Sequence, residues 1–302
     1  MIRNTLLEVV NPRVTLIPNG AFPLYLIHGD QNYLVDCGVA AHGPKIAAAL
    51  ERFISRFDGP GSRKIDSLLL THTHYDHVGG LSYLQDRFHF KVYSSGVGVN
   101  LLKKSKVTDF INHLNREYDN QNGIKDHISF HPPRYLRSLA EGDRLKIDRS
   151  HTLEVLETPG HTRCSLSFYL VEDKILFPGD SVGVAEKNGA IKPLFLSSYR
   201  SYIDSLDKLA GLDAEVLCLA HNRYLRGSEK VRQFFQRSRH SAQAFKERIL
   251  DGRDSPKELD IEEMAGEILD EAFPRPTVMG PREALMINVM AMIKAVLREF
   301  PA

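Results

Sequence analysis

An apolar run over residues 65–70 ends in Thr71-His72-Thr73-His74-Tyr75-Asp76-His77-Val78-Gly79-Gly80. Three imidazoles and a carboxylate this close together are poor packing material, because each needs a partner once buried. As ligands they make sense: neutral imidazole suits borderline metals such as zinc, and a carboxylate adds negative charge. With 13 histidines in 302 residues, the order His-x-His-x-Asp-His arises by chance in roughly one such chain per thousand, so a solvated cluster of loop histidines is set aside. The position just past a buried-looking strand gives the four side chains a rigid base.

Three later segments repeat that placement. Thr158-Pro159-Gly160-His161, Phe177-Pro178-Gly179-Asp180 and Val216-Leu217-Cys218-Leu219-Ala220-His221 each carry a ligand-type residue past an apolar run. Singly, each is as readily a turn residue; four sets at strand ends in one chain support one another. The candidate metal ligands are therefore His72, His74, Asp76, His77, His161, Asp180 and His221.

The surrounding pattern alternates strand and helix. Residues 14–17, 24–28 and 33–36 read as short strands separated by Pro18-Asn19-Gly20 and Gly29-Asp30-Gln31-Asn32. A helix follows over 45–57, with Ile46, Leu50, Phe53 and Ile54 at helical spacing. Further along, 81–87 reads as a helix, 91–94 as a strand and 100–118 as a helical excursion over the site. Residues 145–158 form an expected hairpin, 165–170 and 174–177 a strand pair, 199–209 an amphipathic helix and 215–219 the last clear strand. Such alternation points to a layered α/β fold. After Gly227 three helices are expected, the first capped by Ser228, the others over 256–272 and 282–300, between the breakers Pro274-Arg275-Pro276 and Gly280-Pro281. The chain divides on this reading into a metal-binding domain, 1–227, and a helical extension, 228–302, that covers the metal site.

These motifs resemble the metallo-β-lactamase superfamily over roughly residues 10–227. The resemblance implies a four-layer αββα sandwich, here with a C-terminal helical extension. It also implies two divalent ions, zinc first and iron or manganese as alternatives, one held by His72, His74 and His161, the other by Asp76, His77 and His221, with Asp180 between them. Asp36-Cys37-Gly38 resembles the family's Asp-x-Gly turn, so Asp36 is expected to orient a ligand rather than merely form a turn. Ala220 stands where glycine is usual before the last histidine, and Arg163-Cys164 where smaller residues are common. Chain length, His-Tyr-Asp-His and Leu225-Arg226-Gly227 are most similar to the quinolone-signal-response thioesterase, with glyoxalase II-like and lactonase-like members near it. The implied reaction is attack of a metal-activated hydroxide on a small acyl substrate, a thioester of coenzyme A or glutathione, an ester or a lactone, with Asp76 assisting proton transfer. A phosphodiester hydrolase is the alternative enzyme, and a regulatory or binding protein of the same fold is the alternative outside catalysis.

Composition limits the partners. The chain has 39 basic and 38 acidic residues, which argues against a nucleic-acid binder relying on overall positive charge. Arg223 and Arg226 open a basic run that continues into the first terminal helix; such a run is usually a solvated face, and the second reading makes these two the candidate contacts for the phosphates of a coenzyme A thioester or a glutathione carboxylate. Cys37, Cys164 and Cys218 are odd in number and widely spaced, which fits small buried side chains in a reduced cytoplasm better than a disulfide framework. No run approaches the roughly 18–20 apolar residues of a membrane span. Met279, Met286, Met290 and Met292 make the last stretch of the chain unusually apolar and adaptable; most are expected to pack against the body, and one face to roof the substrate channel. Apolar terminal helices also suit a homodimer.

Overall fold

The computed structural model describes residues 7–56, 64–186, 189–253, 260–272 and 280–301. Seven strands lie side by side in chain order: β1 (Glu8–Asn11), β2 (Val14–Ile17), β3 (Leu24–Ile27), β4 (Tyr33–Val35), β5 (Ser67–Leu69), β6 (Lys91–Ser95) and β7 (Leu136–Leu139). The first four pair antiparallel through short turns, whereas β4 to β7 pair parallel. Parallel neighbours need crossovers. These are α1 (Gly43–Arg56), then α2 (Tyr75–Val78) with α3 (Leu81–Phe88), then α4 (Gly96–Leu102) with α5 (Ser105–Gln121).

A second sheet contains β8 (Arg144–Lys146), β9 (Thr152–Glu157), β10 (Leu166–Leu170) and β11 (Ile175–Phe177). A small ribbon, β12 (Val184–Ala185) with β13 (Ile191–Lys192), and α6 (Tyr199–Ala210) intervene before β14 (Val216–Cys218) and β15 (Tyr224–Arg226) complete it in the order β15-β14-β11-β10-β9-β8. The chain ends in α7 (Ser228–Arg253), α8 (Ile261–Ala272) and α9 (Arg282–Glu299).

Side-chain alternation explains the layering. On β3, Leu24 and Leu26 join Leu50 of α1 and Leu114 of α5 in an outer apolar cluster, while Tyr25 and Ile27 meet Phe168 and Phe177 of the second sheet. The far face of that sheet puts Tyr169, Leu176 and Leu217 against α6 and all three terminal helices. Three apolar interfaces thus separate four layers, helix, sheet, sheet and helix. Helices α7 to α9 complete the fourth layer from the Gly227 turn onward, sharing its core with α6.

The hairpin expected over 145–158 forms, with Leu145 opposite Leu153. Helix α1 starts at Gly43, two residues before the expected 45, and Phe57 lies outside the described residues. Ser228 is the first residue of α7 rather than its cap; the carbonyl of Gly227 accepts from Val231 N. Asp260 instead caps α8, accepting from the backbone amides of Glu262 and Glu263. Residues 256–259, Pro274-Arg275-Pro276 and Met279 lie outside the described residues. Among the described residues no helix is long and apolar enough to cross a membrane. Cys37, Cys164 and Cys218 are buried and form no disulfide.

Candidate metal centre

Strands β9, β11 and β14 run in one direction, because β10 is antiparallel to both β9 and β11 and β14 is parallel to β11. Their carboxyl ends deliver His161, Asp180 and His221 to the edge at which β5 delivers His72 and His74. Helix α2 adds Asp76 and His77 from its first turn. Two glycines permit the closeness. A Cβ on Gly160 (φ 131) would stand 2.3 Å from Cα of Tyr202, and one on Gly179 (φ 56) 2.8 Å from Cβ of Thr71. The Pro-Gly pairs before His161 and Asp180 are therefore turns pressed against neighbouring chain, with a backbone angle only glycine adopts freely.

All seven expected ligands converge. His161 Nε2 stands 3.2 Å from His72 Nε2 and 3.0 Å from His74 Nδ1. On the other side, His77 Nε2 is 3.7 Å from Asp76 Oδ2, and His221 Nε2 is 3.9 Å from the same oxygen. Asp180 lies between the two groups, with Oδ2 3.6 Å from His161 Nε2 and Oδ1 3.2 Å from His221 Nε2. The donor atoms of His72, His74 and His161 fall within 4.8 Å of one another, as do those of His72, His77 and Asp180, and those of Asp76, His77 and His221.

The groups behind the ligands fix which lone pairs face inward. His161 Nδ1 donates to the carbonyl of Leu194 at 2.7 Å, so its Nε2 is left as an acceptor. Asp36, at positive φ of 57°, accepts from Thr71 N, from Thr71 Oγ1 and from His77 Nδ1, each at 2.8 Å. The Thr71 hydroxyl, having given its proton to Asp36, accepts from His72 Nδ1 at 3.1 Å. Asp36 therefore sets the tautomer of His77 directly and of His72 through Thr71. Thr71 and the Leu194 carbonyl were not among the sequence candidates.

Three inward-facing imidazole nitrogens repel unless a cation lies among them. A tetrahedral ion with bonds of about 2.0–2.1 Å spaces its donors by about 3.3 Å, close to the observed separations. His77 Nε2 and Asp180 Oδ1, buried 3.6 Å apart, make no hydrogen bond, as befits atoms that serve an ion. The residues present fit a metal centre.

Charge divides the centre. Burial, with the neighbouring imidazoles, holds His72 well below the ordinary value; burial takes His74 down to about 4 and, with His74 beside it, His161 to about 3. Burial also opposes protonation of His77, but Asp180, Asp76 and Asp36 overcome it and raise it well above the usual range. His221 is raised against burial by Asp180 and then Asp76. Burial works against ionisation of Asp180, yet His221 and His77 hold its carboxyl well below the usual range. The first group offers bare lone pairs. In the second, protons compete more strongly with a metal ion for His77 and His221.

Above the ligands lies a cavity of about 380 Å³, within the range of small-molecule sites. Its floor includes His74, Asp76, Asp180 and His221; its walls are Val107, Phe110, Ile111 and Leu114 of α5 and Ala284, Leu285, Ile287, Asn288 and Ala291 of α9. The methionines of α9 do not line it: Met292 is buried in the outer core, and Met286 and Met290 pack against that core. Arg223 and Arg226 do not line it either. Arg223 pairs with Glu8 at 2.7 Å, and Arg226 reaches the carbonyl of Val10, so both tie β15 to β1. Arg163 is exposed and also absent from the cavity wall.

The sequence profile of the metallo-beta-lactamase superfamily matches residues 23–221, from β3 to the last ligand. The chain belongs to the metallo-beta-lactamase superfamily. Within it, the chain is 28% identical over 215 residues to a hydroxyacylglutathione hydrolase of Cereibacter sphaeroides, covering 71% of this chain and 66% of that one. It is 30% identical over 194 residues to the acyl-coenzyme A thioesterase MBLAC2 of Gallus gallus, covering 63% and 66%. The matched segment thus spans just under two thirds of either relative. Among solved structures, a metallo-beta-lactamase family protein of Thermus thermophilus has the same fold, with a TM-score of 0.64 at 23% identity over 97% of this chain and 93% of that one.

Proposed function

We propose that the chain is a hydrolase that holds two divalent ions, zinc foremost, and cleaves an acyl substrate, a thioester before an ester or lactone. The carrying observation is the convergence of seven donors, in a neutral and an acidic group with Asp180 between them, beneath an apolar-walled cavity whose floor includes four of them. The names of the Cereibacter and Gallus relatives support the thioester class.

Divalent ions bound there would supply Lewis acidity toward a carbonyl oxygen and a lowered pKa for water. The chain's own residues do the rest. Asp180 stands between the donor groups, with Oδ2 within reach of both His161 and His221 and Oδ1 within reach of His77 and His221. Asp76, 12% exposed at its side chain and facing the cavity, is placed to move a proton between water and the leaving group. His161, His72 and His77 keep their orientation because Leu194, Thr71 and Asp36 hold their outer nitrogens. Helices α5 and α9 close over the floor as a lid and exclude bulk water, which strengthens every electrostatic contact beneath them.

The test is a panel of acyl-coenzyme A, glutathione thioester, lactone and bis-p-nitrophenyl phosphate, given to metal-replete and chelator-stripped protein with metal content measured in parallel. Thioester turnover that disappears on stripping and returns with zinc is expected. Full activity in metal-free protein overturns the proposal, and turnover of the phosphodiester alone replaces it with a phosphodiesterase.

A further inference from the structure

A second cavity of about 190 Å³ lies beside the first, between β13 and helices α7, α8 and α9. The two share Lys192, Leu194, Leu285 and Asn288 as wall residues, so these four form the partition. Beyond it the wall is Ile191, Pro193, Phe245, Ile268, Val289 and Met292. The polar members are mostly committed: Ser241 donates to the carbonyl of Ile191, and Lys192 pairs with Glu186. Asn288 brings an amide to the junction. The second cavity, the inner chamber, is thus a mostly apolar pocket that adjoins the cavity over the metal floor at those four residues.

We propose that this inner chamber receives the distal end of a linear aliphatic acyl chain, which makes the substrate a medium-chain acyl thioester with its carbonyl over the metal floor. The inference rests on the acyl-hydrolase reading and deepens it. Size supports it. An apolar cavity of about 150 Å³ stays dry and takes up benzene, so a chamber slightly larger holds a run of roughly six carbons. The shared wall supports it too, because a flexible chain with its carbonyl over the metal floor meets the second cavity where Lys192, Leu194, Leu285 and Asn288 border both. Leu285 and Asn288, one helical turn apart on α9 and shared by both chambers, would set the chain length accepted.

The experiment compares kcat/KM for butyryl-, octanoyl- and dodecanoyl-coenzyme A in the metal-replete protein and in two plugged variants, Val289→Phe and Ser241→Leu. In the unaltered protein kcat/KM should climb with length, by at most about fourfold per methylene buried, and level off once the inner chamber is full. Each plug should lower the dodecanoyl-to-butyryl ratio at least tenfold in protein whose circular dichroism is unchanged. Titration of sodium dodecanoate and sodium butyrate by calorimetry reads the chamber without turnover; the plugs should abolish the preference for dodecanoate. Flat chain-length dependence, or an unaltered ratio in both folded plugs, overturns the inference. If no thioester turns over while dodecanoate still binds and the plugs weaken it, the chamber stands and the hydrolase reading falls.

Discussion

The floor and the roof of the cavity are built on opposite principles. On the floor, each ligand comes from the end of a strand or the first turn of a short helix, and the outer atoms of His72, His77 and His161 are held by further groups. The roof is held more loosely. Phe110 and Ile287 are 46% and 39% exposed, and α5 and α9 are joined across the opening by the exposed His113–Glu283 pair at 2.9 Å. An exposed pair of that kind contributes little, about 0–1 kcal/mol. The contrast teaches that chemistry and selectivity are separable here: one depends on atoms fixed to tenths of an ångström, the other on apolar area that tolerates exchange.

The largest effect should come from the floor. His72→Ala or His161→Ala should remove metal from the neutral group and lower turnover by roughly a thousandfold or more, the scale on which a principal electrostatic contributor acts; metal analysis beside kinetics checks this. Next, Asp36→Asn should weaken metal binding about 10–100-fold with the ligands intact, read by chelator competition. A mutant with wild-type affinity would show that the floor does not depend on its supports.

Acidification should then split the floor. His77 and His221 have raised pKa values before metal binds, so protons compete there at higher pH than at His74 and His161, which stay neutral down to about 4 and about 3. If the two proposed ions are bound, the one held by Asp76, His77 and His221 should leave first as pH falls and the one held by the histidine trio last, followed by metal release against pH. Loss of both in one step would erase the distinction. The smallest effect belongs to the roof: Phe110→Ala or Ile287→Ala should raise KM about fivefold, from about 1 kcal/mol of lost apolar contact, with metal content unchanged. Loss of metal in either would break the separation of roof from floor.

The same division explains what was legible in the sequence. The ligands were readable because a histidine or aspartate at the end of an apolar strand is costly unless it has a task. The strands were readable where alternation was clean, as in β3. Strand β7, Leu136-Arg137-Ser138-Leu139, was not, because it is largely exposed and carries no apolar alternation. On α9, adjacent residues divide the work, Ala284 joining the core over the first sheet and Leu285 the core over the second, and helical spacing cannot say which of two apolar neighbours a residue meets. The Leu194 carbonyl that orients His161 has no side-chain signature at all. Arg223 and Arg226 showed a basic run, but their partners, Glu8 and Val10, depend on β1 passing alongside β15, more than two hundred residues away in the chain.

The three enclosed cysteines bear on how the molecule can be studied. Cys37 donates its thiol to the carbonyl of His77, and burial, with Asp36 beside it, pushes its pKa well up; burial does the same to Cys218, and Cys164 has no exposed surface. Because the reactive species is an accessible thiolate, the native protein should stay silent toward a chromogenic disulfide reagent. A thioester cleaved in its presence would therefore report its product thiol against no background. In a chain without tryptophan, the appearance of three reactive sulfurs in the same reagent would count unfolding directly.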